Sequence, residues 1–419
     1  MTVQDAGSPA LVGPARSWLR SPGRVLVVTV PLIAATVTLL LYRTNGYHID
    51  LEVYRLGVEA WLAGRDMYGE LPPTISGLAL PFIYPPFAAM VLTPLALMPW
   101  TPAWVTLFAL SLVSLTVTLY VVARRLWPSG GVGGAVVVTS VALSPALLLE
   151  PVRETFEFGQ INLVLMAMVA VDCLARAPRW PRGLLVGLAA AIKLTPGAFV
   201  LYFLLRRDFR AAGVATIAAA AATGLGFLVD AESSARYWFN GPAHGVSGSI
   251  FYTNQTIEAV LARAALPDTL ITVIWFTAVV LLLALLVVPI GLRVDPPLAL
   301  VTVAGGGLLI SPTSWSHHWV WIAPALLVTV AYALRLRSPG WTVATLVLAA
   351  TFYTAPFQFL PHEGGVEATW TPLQQVVGAT YVIVAIGLLM VLRLEVSRRS
   401  RPEVSTSTGA DGRGRSTAT

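Results

Sequence analysis

Lys193 interrupts an otherwise apolar stretch, in the run Ile192-Lys193-Leu194-Thr195-Pro196. Insertion scales charge about 2.5–3.5 kcal/mol for a cation at such a depth, so the residue either snorkels to an interface or has work to do there. A buried cation can hold a phosphate, and that reading is favoured. His317 and His318 stand side by side in Ser311-Pro312-Thr313-Ser314-Trp315-Ser316-His317-His318-Trp319. Consecutive helical residues point about 100° apart, and no HxxxH or HExxH pattern accompanies them. They are therefore not expected to share a metal. They read as an interfacial pair or as a hydrogen-bond donor to a phosphate. Asp50 lies in Tyr47-His48-Ile49-Asp50-Leu51-Glu52-Val53-Tyr54. It is either the N-cap of the helix that follows or a carboxylate able to take a proton from a substrate hydroxyl.

Three further runs are chemically rich. Glu150-Pro151-Val152-Arg153-Glu154-Thr155-Phe156-Glu157-Phe158-Gly159-Gln160-Ile161-Asn162 concentrates charge in one short loop. Gln160 and Asn162 either cap the next span or line a pocket. Phe82-Ile83-Tyr84-Pro85-Pro86-Phe87 is an aromatic belt or a rigid wall for a lipid or sugar. Asn254-Gln255-Thr256 has the form of a glycosylation acceptor, and reads otherwise as a polar loop.

The elements that must position these groups are membrane helices. Of 419 residues, 56% are hydrophobic and 11% charged, with mean hydropathy +0.74. Soluble domains carry about a quarter charged residues, so lipid must be the solvent. Spans, each needing about 20 residues, are expected near 24–42, 102–123, 132–149, 161–176, 211–229, 270–291, 297–311, 319–335, 341–357 and 376–392. Two more apolar stretches are broken: 83–98 by Pro85, Pro86 and Pro94, and 182–205 by Lys193 and Pro196. Irregular backbone survives in a membrane only where protein or a water-filled cavity covers it, so both are expected as short helices or re-entrant hairpins beside a site. The total comes to about 12 helices. Residues 51–62, with Leu51, Tyr54, Val58, Trp61 and Leu62 on one face and Glu52, Arg55 and Glu59 on the other, read as a surface helix ended by Gly64.

Charge divides the chain into two faces. Arg124-Arg125, Arg176 to Arg182, Arg206-Arg207 with Arg210, Arg293, Arg335 with Arg337, and Arg393 with Arg398-Arg399 fall on the N-terminal side, which the positive-inside rule makes cytoplasmic. Segments 43–82, 150–160, 230–268, 312–318 and 358–375 fall opposite and hold most acids and histidines. The net charge of +6 is dispersed through short loops, which fits anionic lipid and not nucleic acid. The single cysteine, Cys173, is expected to be a small core residue. The chain thus reads as a cytoplasmic segment 1–23, a membrane domain 24–394 and a disordered cytoplasmic tail 395–419. No Walker loop, GxGxxG or GxSxG is present.

IDLEVY, IYPPF, FGQIN, KLTP, NQT and SWSHHW, in that order over residues 43–335, resemble glycosyltransferase family 87, the polyprenol-phosphate-mannose-dependent mannosyltransferases of actinobacteria. The resemblance implies an all-α GT-C fold with juxtamembrane helices in the first external loop, where Asp50 matches the family's catalytic aspartate. It implies a polyprenyl-phosphate-mannose donor, inversion at the anomeric carbon and no metal or other cofactor. Within the family the chain is most similar to the mycobacterial phosphatidylinositol mannoside enzymes, which implies addition of a fifth mannose in α-1,2 linkage. Asp50 would be the general base, with Lys193 and His317 or His318 offsetting charge on the departing phosphate. Tyr54, Arg55, Tyr84, Glu150, Arg153, Gln160, Asn162, Asn254, Gln255 and Trp315 would contact the lipid substrates. The site would lie on the extracytoplasmic face of the plasma membrane. Rival readings are a lipid or sugar transporter or flippase, and a sibling transferase acting on lipomannan or arabinan.

Overall fold

The structure, a computed structural model, describes residues 22–44, 47–241, 248–290 and 294–399. Arg293, the chain up to residue 21 and the chain from residue 400 onward lie outside them. Among the described residues, regular structure is helical, with one isolated bridge between Asn254 and Trp315. Among the described residues six helices are long and apolar enough to cross a membrane, or seven if a pair bent by 66° is one span. Five shorter apolar helices accompany them.

In chain order, α1 (Pro22–Thr44) is the first span and α2 (Ile49–Leu62) lies beyond its end. Then come α3 (Pro86–Leu97), α4 (Trp100–Leu126), α5 (Gly131–Leu147), α6 (Glu150–Phe158) and α7 (Asn162–Leu174). The stretch expected at 182–205 is α8 (Leu184–Ile192), a 3₁₀ turn (Thr195–Phe199) and α9 (Val200–Leu205). It breaks at Lys193 and Leu194, as its composition demands. The stretch 83–98 behaves differently. Pro85 and Pro86 define the start of α3, whereas Pro94 sits inside it without a break. Proline is pre-organised for a first helical turn; further along it removes a hydrogen bond and crowds the preceding turn, yet α3 runs on through Pro94 to Leu97. The rest comprises α10 (Phe209–Val229), α11 (Ala231–Asn240), α12 (Ile257–Arg263), α13 (Asp268–Ile290), α14 (Pro296–Ile310), a 3₁₀ turn (Ser316–Trp321) leading into α15 (Ile322–Leu336), α16 (Pro339–Thr354), α17 (Pro372–Gly378) and α18 (Thr380–Arg399). The last helix runs to Arg399, into the first residues of the expected tail.

The two charge-defined faces are opposite ends of the bundle. At one end Arg182 donates to the carbonyls of Asp172, Cys173 and Ala175, which terminate α7. Helix C-termini leave such carbonyls without partners, so the guanidinium supplies them. Arg125 donates to the Leu174 carbonyl and Arg206 to that of Val294, while Arg335 pairs with Asp295. At the far end of α4, about 40 Å away by helical rise, the five acid- and histidine-rich segments bind one another. His48 Nδ1 lies 3.1 Å from the Glu157 carbonyl, Trp61 donates to Asp230, Gln255 N donates to the Ser314 carbonyl, and Tyr252 N donates to Glu367.

Close packing fixes α8, which ends at Lys193. A methyl group at Gly187 would come within 2.3 Å of the Ala215 carbonyl of α10. The small residues Ala211, Ala215, Ala218 and Ala219 let the two backbones approach, the usual device where helices meet without a hydrophobic driving force.

Candidate active site

Asp50 sits in the first turn of α2 and its side chain makes no capping bond. The N-cap position belongs to His48. The carboxylate is thus not consumed by the backbone, and a negative charge there still benefits from the helix dipole. Loss of surrounding water pushes its carboxyl up to about 6, against the pull of a hydrogen bond from the Gln160 amide and of the Lys193 charge. Part of its surface stays open. One turn on, Tyr54 is buried and donates to Gln160 Oε1 at 2.7 Å, with the Tyr84 hydroxyl 3.1 Å away. Burial raises both tyrosine pKa values, which keeps the two hydroxyls protonated as donors.

Gln160 follows Gly159, whose φ of +67° suits glycine. A side chain there would also meet the Cβ atoms of His48 at 2.9 Å and Leu51 at 3.0 Å. That contact seats α2 on α6 and brings Asp50 to Gln160. Two residues further, Asn162 opens α7 and joins two other parts. Its Oδ1 accepts from Lys193 Nζ at 2.8 Å and its Nδ2 donates to the His317 carbonyl at 3.0 Å. Thr155 donates to the same carbonyl at 3.2 Å. Lys193 Nζ also donates to His318 Nε2 at 3.0 Å and lies 5.4 Å from the centre of the Tyr84 ring. While Lys193 is an ammonium it has no lone pair, so in that state His318 Nε2 accepts and the ring carries its hydrogen on Nδ1, a buried atom without a partner among the described residues.

Asp50, Tyr54, Tyr84, Gln160, Asn162, Lys193 and His318 therefore form one cluster. It contains an open carboxylate, a cation and an imidazole N–H. Beside it lies a small cavity, polar where Asn162 and His318 line it and apolar along Leu165, Met166, Phe199 and Trp321. Such a constellation can deprotonate a hydroxyl at one side and stabilise a phosphate at the other.

The sequence profile of glycosyltransferase family 87 matches residues 82–312. The chain belongs to glycosyltransferase family 87. A polyprenol-phosphate-mannose-dependent alpha-(1-2)-phosphatidylinositol mannoside mannosyltransferase of Mycolicibacterium smegmatis is 41% identical over 382 residues, 84% of this chain and 85% of that protein. Its namesake in Mycobacterium tuberculosis is 38% identical over 385 residues, 88% and 90% of the two chains. A polyprenol-phosphate-mannose-dependent alpha-(1-2)-phosphatidylinositol pentamannoside mannosyltransferase of M. smegmatis is 33% identical over 360 residues, 82% and 85%.

Several residues that the sequence offered for this family 87 site lie elsewhere. Arg55 donates to the Leu95 and Met98 carbonyls at the end of α3 and faces Trp100. Its fork satisfies helix-terminal carbonyls, so it is spent on tying α2 to α3. Glu150 is fully buried and accepts from Gln358 at 2.9 Å and Tyr381 at 2.7 Å. Desolvation, reinforced by Glu154, pushes its carboxyl up to about 7. Arg153 pairs with Glu154 and Glu157. Asn254, Gln255 and Thr256 are wholly buried. Asn254 donates to the Ser249 carbonyl and accepts from Ser314 N, Gln255 donates to the Gly378 carbonyl, and Thr256 caps α12. Trp315 bridges to Asn254 and sits against Phe251. His317 contributes its carbonyl, while its ring packs edge-on against Phe158.

Thr155, Gln358 and Tyr381 were not singled out by sequence. Thr155 lay in a run already marked for its charge, and its spacing of four from Pro151 and three from Phe158 was available. Tyr381 lies in an apolar span, where a tyrosine carries no signal until its hydroxyl is seen on Glu150.

Proposed function

We propose that the chain is an inverting mannosyltransferase of GT-C architecture that moves mannose from polyprenyl-phosphate-mannose to a phosphatidylinositol mannoside, converting a tetramannosylated acceptor to a pentamannosylated one in α-1,2 linkage. Family membership and the names of the relatives support the donor and acceptor classes. The observation that carries the mechanism is the convergence of Asp50 and the Lys193–His318 pair on one cluster.

In the proposed step Asp50 takes the proton of the acceptor hydroxyl as its oxygen attacks the anomeric carbon. The bond from that carbon to the phosphate oxygen breaks on the opposite face, so a β-linked donor gives an α-linked product. Lys193 and the His318 Nδ1–H offset charge on the departing polyprenyl phosphate. The phosphate is a good leaving group, so one carboxylate suffices where glycosidases need two. The step as written calls for no metal. The active face is the extracytoplasmic side of the plasma membrane, with both termini in the cytoplasm. A transporter would use a similar cavity without forming a bond. Purified protein, polyprenyl-phosphate-mannose and defined phosphatidylinositol mannosides, with products read by mass spectrometry, test the proposal. One added hexose on the tetramannoside is expected. Donor left intact, or a hexose on the pentamannoside alone, overturns it.

A further inference from the structure

The C-terminal end of α7 gathers arginines from three segments of the chain. Arg125, in the last turn of α4, donates to the Leu174 carbonyl, and Arg182 holds those of Asp172, Cys173 and Ala175. Arg206 lies 5.7 Å from the centre of the Tyr202 ring, whose hydroxyl donates to the Cys173 carbonyl at 3.4 Å. Arg176 directly follows Ala175 and is exposed. Arg176, Arg182 and Arg206 all lie close enough to oppose the charge of Arg125. Among the described residues none of these arginines is in an ion pair. The carboxylates nearby are engaged elsewhere. Asp172 is buried and accepts from Trp180 Nε1 and from the backbone N–H groups of Gly183 and Val186. Asp208 caps α10, and Asp295 takes Tyr332 and Arg335. The end of α7 itself adds only about half a negative charge.

We infer that Arg125, Arg176, Arg182 and Arg206 bind the phosphate-bearing headgroup of an anionic phospholipid. Arginine forks match phosphate oxygens in pairs. Arginines that only orient a membrane chain need neither burial nor a common focus. Arg125, Arg182 and Arg206 are half-buried around one helix end. An anion seated among them relieves their mutual repulsion. Leu204 and Phe209, on either side of Arg206, are 43% and 66% exposed and give acyl chains an apolar rest beside the charge. Basic pockets between membrane helices hold the headgroups of lipids such as cardiolipin, whose two phosphates suit a cluster of several guanidinium groups. The length of α4, about 40 Å by helical rise, separates this end of the bundle from the one that carries Asp50. The occupant is therefore not a substrate in position for transfer, and the inference stands apart from the proposed reaction.

The test is native mass spectrometry of the full chain in detergent, titrated with cardiolipin and, for comparison, with zwitterionic phosphatidylcholine. One cardiolipin is expected to stay on the wild-type protein at concentrations where phosphatidylcholine is lost. Each guanidinium removed should weaken that binding about tenfold, so Arg176→Gln alone should show it and Arg176→Gln with Arg206→Gln should lose about a hundredfold. Arg176 is exposed, so its single variant keeps the fold and reads binding even where the double variant does not. Arg124→Gln with Arg337→Gln takes the same charge from the same end of the bundle. Arg124 points about 100° away from Arg125 on α4, and this pair should leave binding unchanged. Equal losses in the two pairs would mean diffuse attraction to anionic lipid and would overturn the inference. So would unchanged binding in Arg176→Gln, or cardiolipin held no better than phosphatidylcholine. Displacement of the cardiolipin by millimolar inorganic phosphate would also overturn it, by assigning the arginines to a soluble anion.

Discussion

Asp50 decides between two chemistries on a single substitution. Asparagine is among the best helix caps but cannot accept the hydroxyl proton. Asp50 makes no capping bond, so Asp50→Asn is expected to abolish transfer with the fold intact. The pH profile carries a second signature. Only the ionised carboxylate acts as base, so kcat/KM should fall about tenfold per unit as pH drops below about 6. Stability moves the other way. A carboxyl raised in the folded state contributes stability below its unfolded value, and that contribution is lost as pH rises through about 6. Asp50→Asn should therefore melt no lower than wild type at pH 7, with its advantage shrinking towards pH 5. A wild-type-like rate for the variant, or a flat profile across pH 6, would return Asp50 to a structural role. The phosphate side yields a contrast between neighbours. Lys193→Ala and His318→Ala each remove a preorganised donor and should cost about 100- to 1000-fold in kcat. His317→Ala keeps the backbone carbonyl that holds Asn162 and should cost less. Equal losses at 317 and 318 would contradict the assignment. That contrast was not legible in the sequence, where adjacent histidines have equal claims. A lysine at membrane depth was legible because its cost is visible without a structure.

Helices and turns place these residues, and here the sequence was informative where composition forced a break. Lys-Leu-Thr-Pro had to end a helix, and it does at Lys193. The proline at position 94 carried the same apparent message and did not deliver it, because one lost hydrogen bond is tolerable inside a packed helix. The surface helix was legible from its spacing, except that Leu62 is exposed and Glu52 accepts from Ile75 N. What could not be read was how α2 meets α6. The junction is Gly159, held at positive φ under His48 and Leu51. Gly159→Ala adds strain of about 1–3 kcal/mol and pushes the two helices apart. A melting temperature several degrees lower and transfer reduced at least tenfold are expected. Unchanged activity would show that Asp50 does not depend on this seat.

At the scale of the whole molecule, arginine counting separated two faces before any contact was known, and the contacts keep those faces apart. Which face meets the cytoplasm is a prediction. Cysteines introduced at Glu70 and Glu363, both exposed on the acid-rich end, should react with an impermeant thiol reagent in intact cells. A cysteine at Ala410 should not. The native Cys173 is buried and gives little background. The reverse labelling pattern would invert the orientation. One buried loop then sets a condition on biogenesis. Asn254-Gln255-Thr256 satisfies the acceptor pattern for a eukaryotic oligosaccharyltransferase, yet the folded protein leaves none of its surface open. Modification and folding would therefore compete in time. In a yeast or insect-cell host the enzyme would reach Asn254 only while the chain is emerging into the lumen. A glycan attached then would occupy the nitrogen that must donate to the Ser249 carbonyl and would bar the loop from closing over Arg263. The glycosylated fraction from such a host should be aggregated and inactive. A bacterial host, or tunicamycin in the eukaryotic one, should restore yield without any change to the sequence.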